Sequence, residues 1–326
     1  MTAQSHGAPF IHYEKTAPYI YFTHIAALLP CMVFAVFYYG IRALALLLFS
    51  SILFCIFDNL FAKISRRDQI HMGNYFDLSS IASGMIFALL LPPDTSLFIV
   101  FAGVFFGSVV AKQFFGGAGN NILNPACAAR LFVGVTFPSS LAGYNTPGDY
   151  WFKADSLIGA GSRSNILPGP ENYYFAEIVS GRFPGWIGST CVILILIGGL
   201  FMVLKGTIRL YSPIAYIFGI VILYPFFNSE NFFTYEGIRE MVVFMASSGV
   251  LFVAVFMLGD HTTMPSKFVA GIFAGFLCGL FTMILREKAA PDVYLLCPVL
   301  IVNFLSFVLD FFSKTYSRRN KGGVDR

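Results

Sequence analysis

Charged side chains are scarce in this sequence. Only 12% of its 326 residues are Asp, Glu, Lys or Arg, whereas a soluble domain carries about 25%. Apolar residues make up 57% of the chain, and the mean hydropathy is +0.73. This composition excludes an ordinary water-soluble domain. The net charge of +4 is small and the basic residues form no stripe, so binding to nucleic acid is not expected.

The side chains that hold metals or form disulfides are also few. None of the six cysteines belongs to a C-x-x-C pair, and all lie in apolar segments, so neither a disulfide framework nor a zinc site is expected. The five histidines show no metal-ligand spacing. No phosphate loop with a Lys and no Ser-His-Asp order occurs, which argues against nucleotide hydrolysis and acyl hydrolysis. Cys127 and Cys297 hold nearly matching places in the repeat described below, which leaves a shared cluster open.

Long apolar runs are what the sequence has in abundance. A helix needs roughly 20 apolar residues to cross a hydrocarbon core about 30 Å thick. We predict an all-α polytopic membrane protein with about ten transmembrane helices, at 20–39, 41–62, 79–93, 96–115, 126–137, 186–204, 209–227, 240–258, 268–285 and 293–312. The fifth span is short and needs protein around it rather than lipid. The first 19 residues are polar, so no signal peptide is expected.

The placement of Lys and Arg predicts the orientation. With the N-terminus in the cytoplasm, thirteen basic residues, Lys112 among them, fall in cytoplasmic segments and seven fall outside. An excess of basic residues marks the cytoplasmic side. We therefore predict a multi-pass protein of the cell (inner) membrane, with both termini cytoplasmic and residues 139–185 as an external loop. Trp151 and Trp186, near the edges of this loop, are predicted to anchor it at the membrane interface.

Two stretches of the chain resemble each other. They share a Gly, an Asp and a Gly-x-x-x-Gly motif in the same order: Gly84, Asp94, Gly103 and Gly107 in the first, and Gly249, Asp260, Gly275 and Gly279 in the second. Each half holds five predicted spans, an odd number, so the second half enters the membrane from the opposite side. This predicts two inverted five-helix repeats, residues 1–138 and 186–326, with a site near the midplane. The alternative is a chance likeness between apolar helices.

A segment rich in Gly and Asn, residues 116–126, interrupts the apolar region. Asn124 is expected to cap a helix that begins at Pro125. The N–H groups at this helix start, together with Arg130 two turns later, predict a site for a phosphate or a carboxylate. The alternative is a broken helix that only packs, with Arg130 paired to an acid such as Asp260.

Asp94 and Asp260 lie at corresponding ends of two predicted spans. Carboxylates at membrane depth are costly and usually functional, so these two residues are candidates for a cation path. The alternative is that both cap helix ends and face water. Thr262 and Thr263 either add hydroxyl ligands beside Asp260 or cap the next helix.

Three segments, in order, resemble the NqrB/RnfD family, the membrane subunits of two redox-driven ion pumps. They are G-G-A-G-N-N-I-L-N-P-A-C-A-A-R-L-F-V-G-V-T-F-P at 116–138, G-W-I-G-S-T-C-V-I-L-I-L-I-G-G-L-F at 185–201 and F-M-L-G-D-H-T-T-M-P-S-K at 256–267. The likeness covers nearly the whole chain. The chain length is closest to that of the RnfD members, which belong to the Rnf-type ferredoxin–NAD oxidoreductase complex.

The resemblance implies a membrane subunit of a redox-driven, ion-translocating electron transport complex. Such a subunit couples flavin-mediated electron transfer to the movement of Na⁺ or H⁺. It is not an enzyme alone, and it implies partner subunits, because the chain has no motif for ferredoxin, NAD or an iron–sulfur cluster. Two alternatives remain: a passive channel or transporter for small solutes, and a scaffold subunit without flavin.

The resemblance also implies FMN, which family members carry on a Thr of the external loop. The nearest match to the attachment motif begins at Asp155, but Gly161 stands where the hydroxyl is required and Ser162 is one residue late. Glycine cannot form the phosphoester, so the flavin is held without that bond, attached at Ser162, or absent. The candidate cofactor-binding residues are Asn120, Asn121, Asn124, Arg130, Asp155, Ser162, Thr262 and Thr263, and the candidate ion-path residues are Asp94 and Asp260.

Overall fold

The structure is a computed structural model that describes residues 16–64, 78–117, 119–141, 144–145, 163–164, 175–183, 185–227 and 234–321. Within these ranges the regular secondary structure is helical, apart from one pair of two-residue strands. The predicted all-α class is confirmed.

The first two predicted spans form one helix that reverses direction. Helix α1 is Ala17–Ile64, and Gly40 within it has φ 69° and ψ −156°, which is not helical. A straight helix would place His24 and Asp58 about 50 Å apart, at 1.5 Å per residue. Instead, Asp58 binds Lys112, and His24 lines the cavity that Lys112 also borders. We conclude that α1 is a hairpin that turns at Gly40, where the missing Cβ permits the positive φ.

Three shorter helices complete the first half. α2 is Leu78–Leu89, and α4 is Pro125–Thr136. Between them, α3 is α-helical over Leu97–Phe105 and continues as a π-helix over Phe106–Gln113. α2 packs along α1, and α4 packs against α3.

Small elements occupy the described part of the segment that joins the two halves. They are α5 (Pro138–Leu141), β1 (Tyr144–Asn145), β2 (Arg163–Ser164) and α6 (Phe175–Ser180). β1 and β2 pair antiparallel, with Tyr144 opposite Ser164.

Six helices form the second half. They are α7 (Val192–Lys205), α8 (Tyr211–Phe227), α9 (Tyr235–Ser247), α10 (Val250–Phe256), α11 (Phe268–Arg286) and α12 (Pro291–Lys321). The segment predicted as a span at 240–258 is bent, because α9 and α10 meet there at an angle of 52°. Gly249 lies at this break with φ 88°. The span predicted at 186–204 begins later than expected, at Val192.

Helix length and composition make the chain a multi-pass membrane protein. In the described part, α1, α11 and the apolar section Pro291–Ser313 of α12 are long and apolar enough to cross a membrane. The bent pair α9–α10 adds a fourth span if it is counted as one. The remaining apolar helices, α2, α3, α4, α7 and α8, have 10–17 residues each.

Small side chains lie between the helices, and large apolar ones face outward. On α1, Phe22, Val33 and Phe37 are exposed, whereas Ala27 and Ala35 are buried. This is the pattern of a helix surrounded by lipid, where close backbone contact stabilises packing.

The Gly-x-x-x-Gly motifs lie at close helix contacts. A Cβ at Gly275 of α11 would lie 2.2 Å from the Ser212 carbonyl oxygen of α8. A Cβ at Gly107 of α3 would lie 2.7 Å from the Pro125 carbonyl oxygen of α4. Real Cβ atoms do not approach so closely, so the helix pairs need glycine at both positions.

Candidate functional site

A buried ion pair joins α1 to the π-helical end of α3. Lys112 Nζ lies 2.6 Å from Asp58 Oδ2, and the two side chains are 2% and 4% exposed. Lys112 also donates to the hydroxyls of Ser79 (2.7 Å) and Ser80 (3.0 Å). Ser80 and Ser108 donate to the two carboxylate oxygens of Asp58. These hydroxyls offset part of the cost of removing two charges from water.

The π-helical segment carries Ser108 and Lys112 to this ion pair. Its wide turn is visible in the bond from Phe114 N to Val109 O, at 3.0 Å, which spans five residues. Such segments are frequent at functional sites. Lys112, which the sequence analysis counted among the cytoplasmic basic residues, is buried, and its ammonium is paired with a carboxylate.

A polar cavity of about 40 Å³ borders the ion pair. Both halves of the chain contribute to its wall. Its polar lining residues are Tyr21, His24, Ser79, Ser83, Lys112, Asn121, Asn124, Asp260 and Thr262. One water molecule needs roughly 10–15 Å³ of such volume, so the cavity has room for a few waters or one small ion.

The carboxylate of Asp260 is held by its own loop. Thr262 donates from its backbone N to Oδ1 (3.1 Å) and from its hydroxyl to Oδ2 (2.7 Å), and the Thr263 hydroxyl donates to Oδ2 (3.1 Å). Among the described residues, Asp260 has no ion-pair partner. The two threonines therefore orient this carboxylate at the cavity. The start of α11 is bound instead by Asp310, whose Oδ2 accepts from Ser266 N at 3.0 Å.

The interrupted segment before α4 has the predicted geometry. Asn124 caps the helix, since its Oδ1 accepts from Ala126 N (3.1 Å) and Cys127 N (3.2 Å). Pro125 is the first residue of α4, and the described glycines between 116 and 119 have positive φ. Because Asn124 accepts from two of the first N–H groups of α4, fewer of these groups remain to bind an external anion.

Arg130 lies away from the cavity lining, in a second buried ion pair. Its Nη2 is 2.6 Å from Asp292 Oδ1, and its Nε donates to Leu90 O at 2.7 Å. Leu90 follows the last turn of α2, where carbonyls lack helical partners. The guanidinium also lies 5.4 Å from the ring centroid of Trp186. The acid partner of Arg130 is therefore Asp292 and not Asp260, and Arg130 ties α4 to the ends of α2 and α12.

The segment that contains Trp186 closes the same end of α2. Gly188 N donates to Leu89 O at 2.7 Å, and Ile187 N donates to Leu91 O at 3.1 Å. Trp186 is 2% exposed, so its predicted role as an interface anchor is wrong. Its ring packs on the cation of Arg130 instead.

The structure brings four of the predicted site residues to one cavity: Asn121, Asn124, Asp260 and Thr262. Thr263 adjoins it through its bond to Asp260. Asn120 is exposed and is not part of the cavity wall.

The other predicted residues are not at this cavity. Asp94 lies in the turn between α2 and α3 and is half-buried. Arg42, just after the reversal of α1, donates to two carbonyls of that turn. Asp155 and Ser162 lie outside the described residues.

Sequence reasoning missed four polar residues around these sites. His24 lines the cavity, and Asp58 and Asp292 hold the two buried cations. Asn303, with its amide oriented to satisfy both groups, accepts from Asn124 N at 3.1 Å. The available signal was the presence of ionisable residues inside apolar runs.

A family model described as the NQR2, RnfD, RnfE family matches residues 4–318 of the chain. The chain belongs to this family. The match contains both ion pairs, the cavity and the interrupted segment before α4. Membership in the NQR2, RnfD, RnfE family confirms the resemblance found in the three sequence segments.

Individual members of the NQR2, RnfD, RnfE family are similar along most of the chain. The D subunit of the proton-translocating ferredoxin:NAD(+) oxidoreductase complex of Clostridium ljungdahlii is 26% identical over 94% of this chain and 93% of its own length. The D subunit of the Na(+)-translocating ferredoxin:NAD(+) oxidoreductase complex of Acetobacterium woodii is 28% identical over 94% and 92%. The B subunit of the Na(+)-translocating NADH-quinone reductase of Neisseria meningitidis is 29% identical over 78% of this chain and 62% of its own length.

The residues predicted to bind FMN do not form a flavin pocket in the described part of this family member. The cavity that contains Asn121, Asn124 and Thr262 has about 40 Å³, whereas ligand pockets have roughly 300–1,000 Å³. A larger cavity of about 490 Å³, between the two arms of α1, is lined by apolar side chains and Ser51. It offers no partner for a phosphate, because the Ser51 hydroxyl donates to Leu47 O. Neither of these two cavities fits the cofactor.

None of the six cysteines, all of which lie in described ranges, forms a disulfide. Cys127 Sγ lies 3.4 Å from the carbonyl oxygen of Leu296, the residue before Cys297. Over the described ranges, no three His, Cys, Asp or Glu residues are grouped so as to hold a metal ion.

Proposed function

We propose that this chain is a membrane subunit of a redox-driven, ion-translocating electron transport complex of the Rnf type. In such a complex, electron transfer is coupled to the movement of Na⁺ or H⁺. The observation that carries the proposal is the similarity to the D subunits of two ferredoxin:NAD(+) oxidoreductase complexes over 94% of the chain. The electron donor and acceptor bind to the other subunits, which are the partners of this chain.

The polar cavity is where the chain would act on the ion. It contains a carboxylate without a cationic partner among the described residues, inside a chain built from apolar helices. Ionisable groups at membrane depth mark ion pathways more often than they serve packing. Asp260 is the ion-path residue on this cavity. Asp94 takes the matching place near the opposite end of the path.

We propose that the two halves, residues 1–138 and 186–326, are inverted five-helix repeats. Two corresponding features support this proposal. Helices α2 and α10 both end a few residues before an aspartate, Asp94 or Asp260, and the next helix begins shortly after it. Both following helices carry a Gly-x-x-x-Gly motif at a close helix contact. Inverted repeats place their binding sites at interrupted helices near the midplane.

In the proposed orientation both termini are cytoplasmic in the cell (inner) membrane, and residues 139–185 form an external loop. The reversal of α1 at Gly40, with Arg42 and Asp94 beside it, is then on the external side. The end of α1 that carries Asp58, together with the cavity, is then on the cytoplasmic side. The burial of Lys112 removes one residue from the cytoplasmic count of basic residues and leaves the excess on that side.

FMN remains a prediction from the family resemblance. The attachment segment around Ser162 lies outside the described residues, and no step of the proposed function is routed through the flavin. Intact-mass analysis of the purified subunit tests the prediction. An added FMN-phosphoryl mass on a peptide with Ser162 would establish attachment there, and flavin released on denaturation would establish binding without the bond.

The proposed function is tested with the whole complex in sealed liposomes. Reduced ferredoxin and NAD⁺ are added outside, NADH formation is followed by absorbance, and ion uptake is followed with ²²Na⁺ and a pH-sensitive dye. We expect uptake of one ion in proportion to NADH formed, and no uptake by a complex assembled without this chain. Full ion uptake without the chain would contradict the proposal.

Two alternatives give different results in the same system. A passive channel would let small solutes cross liposomes that contain only this chain, without any electron donor. A scaffold subunit would leave ion uptake normal when the cavity residue Asp260 is replaced by Asn. Gly161, in place of the hydroxyl residue of the family motif, is the sequence feature that favours the scaffold.

A further inference from the structure

His24 is a buried histidine with an unsatisfied ring nitrogen. It is 5% exposed, and its Nδ1 has no hydrogen-bond partner among the described residues. The side chain lines the polar cavity. Buried polar groups nearly always have a partner, either protein or ordered water. The side chain of His24 thus borders a space with room for water.

The charges around His24 come from three other parts of the fold. Asp260, on the loop after α10, contributes a carboxylate to the same cavity wall. Lys112, on α3, contributes an ammonium that is already neutralised by Asp58. Tyr21 lies one turn before His24 on α1 and also lines the cavity. The carboxylate of Asp260 is therefore the charge that is available to balance a positive charge on His24.

The same lining is poorly suited to a bare metal cation. Hard cations require several free oxygen ligands. Here Oδ2 of Asp260 accepts two hydroxyl protons, and Oδ1 of Asn124 accepts two backbone protons.

We propose that His24 and Asp260 form a proton-holding site in a hydrated cavity, and that H⁺ is the ion moved through it. A cavity water delivers a proton to the imidazole ring of His24, and the imidazolium formed is balanced by the carboxylate of Asp260. The proton later leaves the ring for another water. No electron moves in these steps. This inference rests on the proposed function, since it names the ion that the complex translocates.

The test uses the complete complex in liposomes, with His24→Gln as the main variant. Glutamine keeps polarity and approximate size but cannot carry a proton. We expect the rate of proton uptake to fall about a hundredfold, the low end of what a positioned proton-transfer group contributes to a rate, and the protons taken up per NADH formed to fall with it. His261→Gln is the matched control, because His261 is next to Asp260 in the chain and is not part of the cavity wall. The control is expected to keep the wild-type ratio.

The results distinguish failure of the proton site from failure of the proposed function. If the wild-type complex takes up ²²Na⁺ in the presence of a protonophore and His24→Gln does so equally well, the proton site is wrong and the proposed function stands. If the wild-type complex moves neither ion while NADH forms, the proposed function and the proton site both fall. An unchanged proton ratio in His24→Gln also overturns the site.

A second variant covers the case in which His24→Gln does not assemble. Asp260→Asn removes the balancing charge and keeps an oxygen acceptor for Thr262 and Thr263. It is expected to lower the proton ratio as His24→Gln does. A normal ratio in Asp260→Asn overturns the proposal. The ²²Na⁺ measurement on the wild-type complex needs no variant at all and decides the identity of the ion by itself.

Discussion

The two buried ion pairs of this chain have different surroundings. Arg130 and Asp292 lie among helix ends, where Arg130 also binds the Leu90 carbonyl and contacts the Trp186 ring. Asp58 and Lys112 lie among serine hydroxyls, and Lys112 borders a cavity with room for water. The first pair closes a junction between helices, whereas the second lies beside a space that water can enter.

Under the proposed function, this difference separates a structural charge from one placed for ion movement. A buried pair bound only by protein groups changes nothing when an ion passes. A pair beside a hydrated cavity sets the potential that the ion meets there. The predictions below test this distinction, and the comparison fails if both pairs respond to replacement in the same way.

The largest expected effect is that of Asp58→Ala. The ammonium of Lys112 would be left buried without its counter-ion, and removing one partner of a buried pair costs about 3–5 kcal/mol. We expect little assembled subunit, and a clear fall in the thermal midpoint of what remains in detergent.

The matched control for that change removes both charges. Asp58→Asn combined with Lys112→Met leaves no unpaired ion, and such replacements are often neutral for stability. We expect the double variant to be more stable than Asp58→Ala. Equal stability of the two variants would mean that the Lys112 charge is not buried.

Arg130→Met is expected to have the next largest effect. It leaves the Asp292 carboxylate and the Leu90 carbonyl without their donor, at a cost of about 3 kcal/mol. The loss is smaller than for Asp58→Ala because the Asp292 side chain is 12% exposed. Thermal unfolding of the solubilised subunit measures it.

Arg130 also tests the comparison through ion coupling. In the fraction of Arg130→Met that assembles, ions moved per NADH formed should equal the wild-type ratio. Arg130→Lys should be intermediate in stability, since a single ammonium cannot reproduce the planar fork of arginine. A changed ion ratio in either variant would show that this pair, too, takes part in transport.

Gly275→Ala should have a moderate effect. The new methyl would lie 2.2 Å from the Ser212 carbonyl oxygen, so α8 and α11 must separate. Overpacking of this kind costs about 1–3 kcal/mol. The matched control is Gly219→Ala in the same helix pair, whose closest neighbour, the Phe276 carbonyl oxygen, would be 3.2 Å away. An equal loss of thermal stability in both variants would argue against a specific contact at Gly275.

Thr262→Val should have the smallest effect. It removes the hydroxyl that donates to Asp260 at 2.7 Å, while Thr262 N and Thr263 still hold the carboxylate. Loss of one such bond costs about 1 kcal/mol. Thr262→Ser retains the hydroxyl and should match the wild type in thermal midpoint. A large loss in Thr262→Val would mean that this hydroxyl alone fixes Asp260.

Local sequence signals predicted local structure well. Asn124 and Pro125 identify a helix start because the cap and the first turn depend on neighbouring residues only. The Gly-x-x-x-Gly motifs predicted close contacts because only glycine permits them. By contrast, the bend at Gly249 was missed, since an apolar run with one glycine is equally consistent with a straight helix.

The sequence does not predict which acid pairs with which base in the two buried ion pairs. Lys112 follows an apolar run, as a cytoplasmic loop residue would, and Asp58 is 54 positions away. Arg130 is 162 positions from Asp292. Only the folded chain determines which acid meets which base, and a π-helical segment leaves no recognised pattern in composition. The sequence analysis identified four residues that line the cavity, but it did not identify His24, because only the fold brings that residue to them.

The π-helical segment Phe106–Gln113 gives α3 one residue of slack. A π turn contains more residues than an α turn, so losing one residue there would allow α3 to continue as an ordinary α-helix. The residues after the deletion would keep their present faces, because the wide turn takes up the extra residue without rotating the helix that follows. Lys112 would therefore still meet Asp58. An in-frame deletion of one residue before Lys112 in this stretch would thus remove the wide turn and keep the buried cation, which separates the contribution of the turn from that of the charge.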